Sequence, residues 1–158
     1  MEANPALNWR DVQHIIVRTS KKANLKADDW IVNAAGYNLS HAFGFGLMDA
    51  GAMVKLALDW KSVPEQMQCE SDVRLREEVA LAGRDNTQLL VNLTDCVGQV
   101  SHVEHVHLTV QISSKTRRGL FSIELESPAG TVSKLLAPRP LDNSLSGRVL
   151  NSNKHYFL

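Results

Sequence analysis

Apolar residues return at helical spacing from Asn8 to about Ser20, where Trp9, Val12 and Ile16, joined by Ile15 and Thr19, form one stripe. Asn8 stands three residues ahead of Asp11, a pairing that suits a helix N-cap and the positive end of the helix dipole. Asn4-Pro5 just upstream marks the end of an earlier element, because the residue before a proline avoids helical backbone angles. A second helix is predicted from about Asp49 to Trp60, with Ala50, Met53, Val54, Ala57 and Trp60 on its inner face. Between them, Trp30 to Phe45 reads as loop and short strand, interrupted or followed by Gly36, Gly44 and Gly46. Beyond Val63-Pro64 the period drops to two. Val106, Leu108, Val110 and Ile112 alternate with His105, His107, Thr109 and Gln111, which predicts a half-buried strand. Phe121, Ile123 and Leu125 predict another, and Leu89–Asn92 and Thr131–Ala137 are weaker strand candidates. Arg117-Arg118-Gly119 and Ser127-Pro128-Ala129-Gly130 supply turns too short for crossover connections, so the strands are expected to be antiparallel. The chain is α first, then β.

Composition narrows the class without naming a function. The 158 residues are 44% hydrophobic and 22% charged, which suits a folded domain and excludes a disordered or fibrous chain. Lys+Arg and Asp+Glu balance at 17 each, so no net field gathers nucleic acid, and no nucleic-acid partner is expected. No apolar run approaches the roughly 20 residues of a membrane span. Met1-Glu2-Ala3-Asn4-Pro5 has neither the basic nor the apolar region of a signal peptide, so neither segment is expected in this chain.

Candidate chemistry is sparse. Gly44-Phe45-Gly46 before a helix invites a dinucleotide reading, but Asp49 occupies the place of the third glycine and would repel a pyrophosphate. His105 and His107 share a strand face while His102 falls on the other, too few ligands in register for zinc. Glu124 and Glu126 read as a wet strand face. No nucleophile elbow, activated nucleophile or phosphate-binding loop is present, so no catalytic and no metal-binding residue is assigned. Cys69 and Cys96 are too few for a disulfide scaffold and too far apart for a Cys-x-x-Cys motif. Asn38-Leu39-Ser40 and Asn92-Leu93-Thr94 fit the glycosylation acceptor pattern, a tripeptide that also arises by chance.

The run from Asn4 to Ser20 resembles the segment after the catalytic-serine helix in furin-like proprotein convertases, the kexin-type relatives of subtilisin. The resemblance continues through Asp29-Trp30, Asn33, Ala35-Gly36, Ser40-His41 and the stretch from Phe43 to Val54. It passes Trp60-Lys61-Ser62-Val63-Pro64, where family members enter the P domain. It then runs on through Cys69, Cys96, Glu104-His105-Val106, Arg117-Arg118-Gly119, Ser127 to Thr131 and Leu135 to Pro140. It implies three parts: residues 1–60 as the C-terminal part of a subtilisin-like peptidase domain, 61–147 as a partial P domain, and 148–158 as a tail outside the family. The implied fold is the helical tail of a subtilisin-like α/β catalytic domain followed by a partial jelly-roll-type β-sandwich, truncated at both ends. The Ser, His and Asp of the family's triad, its oxyanion Asn and its calcium sites all match positions upstream of Met1. The chain by itself is therefore expected to be inactive, whatever the activity of the family, because the serine hydroxyl is inert without its base.

The same resemblance implies a Cys69–Cys96 disulfide, a secretory-pathway location in the Golgi or outside the cell, and calcium for the full-length enzyme with no cofactor on this chain. Its implied partners are the rest of the catalytic domain and, for the full-length enzyme, precursor proteins cut after paired basic residues. Lys115-Thr116-Arg117-Arg118 itself resembles such a cleavage site, with Arg117 and Arg118 as the basic pair, against the plainer reading of a structural turn. Leu120 departs from the acid that commonly follows Arg-Arg-Gly in the family, so no role of that acid transfers. The chain is expected to be a structural, stabilising fragment of a serine endoprotease. The alternative is a non-catalytic β-rich interaction module or a dominant-negative splice product.

Overall fold

Asn8 opens the first helix with a reciprocal cap. Its side-chain oxygen accepts from the Arg10 and Asp11 amides at 2.8 and 3.0 Å, and Asp11 Oδ2 accepts from the Asn8 amide at 2.9 Å. In the computed structural model, which describes residues 2–71, 86–100, 102–112, 117–144 and 150–157, this helix (α1) spans Trp9–Thr19. Two units are distinguished: Met1–Pro64 together with Glu104–Leu158, and Glu65–Val103.

In the first unit the buried positions of α1 are Asp11, Ile15 and Val17, while Trp9 is 57% exposed. The apolar stripe is therefore not the buried face as a whole, because a carboxylate and its donors hold the first turn. The second helix, α2, covers Ala50–Leu58 and is capped by Asp49, whose Oδ1 accepts from the Ala52 amide at 2.9 Å. Ala57 is buried and Met53 and Trp60 are half-buried, but Ala50 and Val54 are exposed, so the predicted inner face is only partly used. The helix stops two residues before Trp60, which frees that indole to turn toward α1.

Between the helices, β1 (Ile31–Val32) and β2 (Asn38–Leu39) form an antiparallel hairpin in which Ile31 faces Leu39. Gly46 lies at φ +114°, and a Cβ there would come within 2.4 Å of the Lys21 carbonyl oxygen. Only glycine permits this approach, which lets Lys21 and Leu47 exchange backbone bonds of 3.0 and 2.8 Å.

The β part contains β3 (His105–Ile112), β4 (Ile123–Glu126), β5 (Val132–Leu136) and β6 (Leu150–Phe157). β3 alternates as predicted, with Val106, Leu108 and Val110 half-buried and His105, His107 and Thr109 exposed. β4 pairs antiparallel with β5 through the Ser127–Gly130 turn, with a register irregularity at Ile123/Glu124. β5 carries the buried Leu135 and Leu136, which with Ile15, Val17 and Ala57 are the buried apolar residues among those described. Residues 150–157, within the 148–158 stretch read from sequence as a tail outside the family, pair antiparallel with β3, from His105↔Phe157 to Ile112↔Leu150. The tail's polar composition hid this strand, since register comes from a backbone ladder with β3 that no local period announces.

In the second unit Cys69 and Cys96 are joined by a disulfide, with Cα atoms 5.7 Å apart. The predicted strand at Leu89–Asn92 is absent. These residues are exposed and join no ladder, and among the described residues of this unit the regular element is a short 3-10 turn at Thr94–Cys96. Apolar residues without a pairing partner do not make a strand.

Gly46→Ala is expected to lower stability by roughly 2–3 kcal/mol, combining a left-handed backbone with a steric clash. Gly36→Ala, at φ +84° in open space, is expected to cost only about 1 kcal/mol. Equal losses in urea denaturation would contradict the close-approach account. Thiol labelling under denaturing, non-reducing conditions is expected to find no free cysteine. Because the bridge spans a sequence separation of 27, its reduction is expected to destabilise the unit by roughly 3–4 kcal/mol.

Candidate functional site

Two carboxylates of the first unit, Asp11 and Glu104, gather donors from distant parts of the chain. Asp11, at 0% exposure, is the most deeply buried side chain described. Its Oδ1 accepts from the Trp60 indole at 2.9 Å and from the Val63 amide at 2.8 Å, while Oδ2 serves the Asn8 cap. Its hydrogen-bond donors are neutral, with the helix N-terminus adding to them, and Arg10 acts on it through charge without a bond. Burial pushes its carboxyl up, but the bonds from Asn8, Val63, Trp60 and Ser62 outweigh that and hold it at about 2.

Glu104, just before β3, is the second node. Arg10 grips it with both Nε and Nη2, at 2.9 and 2.6 Å, and His14 Nε2 lies 2.9 Å from the same Oε1. Arg10 Nη1 also reaches the Pro64 carbonyl at 2.5 Å. The Arg10 bonds are the main reason the Glu104 carboxyl falls to about 2, against an opposing burial cost. One turn of α1 therefore binds the 60–64 segment through Asp11 and the start of the β part through Arg10 and His14. A third link joins the two parts where the Ala34 amide donates to Thr131 Oγ1 at 2.8 Å. The arrangement presents no nucleophile; chemically it is a clamp.

The residues singled out from sequence fall elsewhere. Asn38 is exposed on β2, and Ser40 of the same tripeptide is buried with its hydroxyl donating to Asp29 Oδ1 at 2.7 Å. Asn92 is exposed in the second unit. Arg117 donates to the Pro140 carbonyl at 3.0 Å, and Arg118 pairs with Asp142 at 3.2 Å. Gly119 between these arms is buried, with room for no Cβ. The dibasic pair is thus engaged in a folded turn, and Leu120 after it is exposed. His102, His105 and His107 are exposed, and His105 lies 3.5 Å from Gln13 Oε1. Among the described residues no three His, Cys, Asp or Glu side chains gather as a metal-ligand set. Asp49 caps α2 where a nucleotide phosphate would have needed a positive helix end. Glu124 stands across from Lys134 on the exposed face of the β4–β5 pair. Sequence reasoning missed Glu104 as a node and saw in Asp11 only a cap. A charge pair 94 positions apart leaves no local trace.

Comparison with known proteins agrees with this architecture. Residues 103–154 match the family described as the proprotein convertase P-domain, extending seven residues beyond the boundary at 147. The chain is 45% identical over 150 residues to furin of Bos taurus, and 44% identical over 147 residues to furin-like protease 1, isoform 1-CRR, of Drosophila melanogaster. It is 44% identical over 151 residues to proprotein convertase subtilisin/kexin type 5 of Rattus norvegicus. Each alignment takes in 93% of this chain but only 18%, 13% and 8% of the respective relative. A crystal structure of a serine protease of Aeromonas sobria superposes with a TM-score of 0.66 and 26% identity, over 87% of this chain and 26% of that one. The P-domain match thus falls on the β part, from just before Glu104 into β6. The chain is similar to one stretch of the furin-like proprotein convertases, and it carries P-domain sequence over residues 103–154.

The two carboxylates give a pH dependence of defined sign. Their folded values of about 2 lie below the ordinary 3.8 and 4.5. Their stabilisation is therefore complete above the ordinary values and is lost as pH falls through the folded ones. After discounting for screening, each is expected to contribute on the order of 1–2 kcal/mol. Urea midpoints are expected to fall between pH 5 and 2, as that span brackets both transitions. The fall is expected to be shallower in Asp11→Asn and Glu104→Gln. An unchanged slope in both variants would overturn the assignment.

Proposed function

We propose that this chain is a structural, non-catalytic part of a calcium-dependent proprotein convertase that processes secretory precursors after paired basic residues. Residues 1–60 form the end of its subtilisin-like peptidase domain. Residues 61–147, with β6 as a further strand, form part of a jelly-roll-type P domain. The observation that carries this reading is the clamp: Arg10, Asp11 and His14 of the peptidase-like part hold Val63, Pro64 and Glu104 of the P-domain part. A β-domain fastened in this way buttresses the helices that follow the catalytic serine in the family. The partner of residues 1–60 is the rest of the peptidase domain, for which the exposed Ile31, Val32, Leu47, Met48, Val54 and Leu58 offer apolar surface. The Cys69–Cys96 bridge supports a secretory location. Among the described residues no helix is long and apolar enough to cross a membrane.

The same exposed residues also suit the second reading, a non-catalytic module that docks on an intact convertase and competes for its folding. Sequencing full-length transcripts, with an assay of their products on a fluorogenic peptide ending in paired arginines, separates the two. A longer product bearing a Ser, His and Asp triad is expected to cleave the peptide, and the 158-residue chain is expected not to. A longest transcript that encodes only these residues favours the docking module. Hydrolysis by the short chain overturns both.

A further inference from the structure

The first unit has an open cleft of about 400 Å³, at the small end of the range for ligand sites, which shares Trp60, Val63 and Pro64 with the clamp. It lies where the last turn of α1, the last turn of α2 and the 60–64 segment meet. Arg18, Lys55 and Lys61 line it, and among the described residues no carboxylate forms an ion pair with any of the three. The acid in the wall is Asp59. The negative ends of two helices, about half a charge each, also face this region and account for part of the basic character. Three cations against one carboxylate and two half charges still leave about one positive charge unbalanced. The Arg18 guanidinium rests 5.0 Å over the Trp60 ring, which holds it in place, and Trp60 and Pro64 give the wall an apolar component.

We propose that this cleft docks an acidic peptide segment in which a carboxylate side chain adjoins an apolar one. The carboxylate meets Arg18, Lys55 and Lys61; the apolar neighbour covers Trp60 and Pro64. Charge complementarity selects this occupant over a basic or neutral one, and the open shape suits an extended segment lying on the surface. Trp60 and Arg18 in the cleft wall are of the residue types that dominate such contacts. The site shares Trp60, Val63 and Pro64 with the clamp but not its carboxylates Asp11 and Glu104, and the inference stands without the convertase reading.

The test uses the 158-residue chain and an acetylated, amidated hexapeptide of alternating Glu and Leu, titrated by calorimetry. Lys55 and Lys61 are exposed, so Lys55→Glu/Lys61→Glu is expected to keep its near-ultraviolet circular dichroism while weakening binding about tenfold or more. Arg18→Gln, and a peptide with Gln in place of Glu, are each expected to weaken it about fivefold or more. Should the double variant misfold, Lys61→Gln alone serves, with a loss of about threefold. Equal binding of the Gln peptide, no effect of the lysine substitutions, or no binding up to about 5 mM peptide would each overturn the proposal.

Discussion

A carboxylate with no exposure, bonded by neutral donors alone among the described residues, is the constraint around which the first unit is arranged. Leaving Asp11 unsatisfied in the interior would be costly, so its acceptor positions must be met by donors brought from separate parts of the chain. The Asn8 amide comes from the start of α1, the indole of Trp60 from beyond α2, and the Val63 amide from the segment that follows. These demands fix where α1 begins, require α2 to stop before Trp60, and set the path of the chain toward Pro64. A hydrophobic residue of similar size would satisfy none of them. The buried charge thus specifies a single arrangement more sharply than the small set of buried apolar residues alone could.

Glu104 plays a complementary part with opposite economy. It is matched by a full guanidinium in a forked, two-bond contact, and His14 adds a second donor or acceptor on the same oxygen. The first node orders the helical part internally, and the second attaches the β part to it. Both use residues of one helical turn, Arg10, Asp11 and His14. At i and i+1, Arg10 and Asp11 point to different sides of the helix; His14 returns to the Arg10 side at i+4. This is why one short helix can hold two segments at once.

How much of this was legible depended on the range of the interaction. The Asn8–Asp11 cap, the Asp49 cap and the alternation of β3 are local, and their periods and spacings stand in the sequence. The exposed Trp9 and Val54 show the limit of that reading. A stripe says which residues are apolar, but not which of them find a partner. Leu89–Asn92 has strand composition without a ladder, and residues 150–157 have a ladder without strand composition, because pairing is a property of two segments. The resemblance to convertases supplied what spacing could not, including the Cys69–Cys96 pairing. It did not single out Glu104 or Trp60 as bonding partners of α1, and only the geometry does.

Arg10 has one more property. Its guanidinium bonds the carbonyl of Pro64 with one nitrogen and Glu104 with the other two, so a single side chain ties together the exit and the re-entry of the chain around residues 65–103. The excursion is thereby closed at its neck. Once the neck is held, the entropy of the enclosed stretch depends only logarithmically on its length, and doubling it costs about 0.6 kcal/mol. Insertions and deletions between Pro64 and Glu104 can therefore accumulate with little effect on the helices and strands on either side. Within this fold, that stretch is free to diversify.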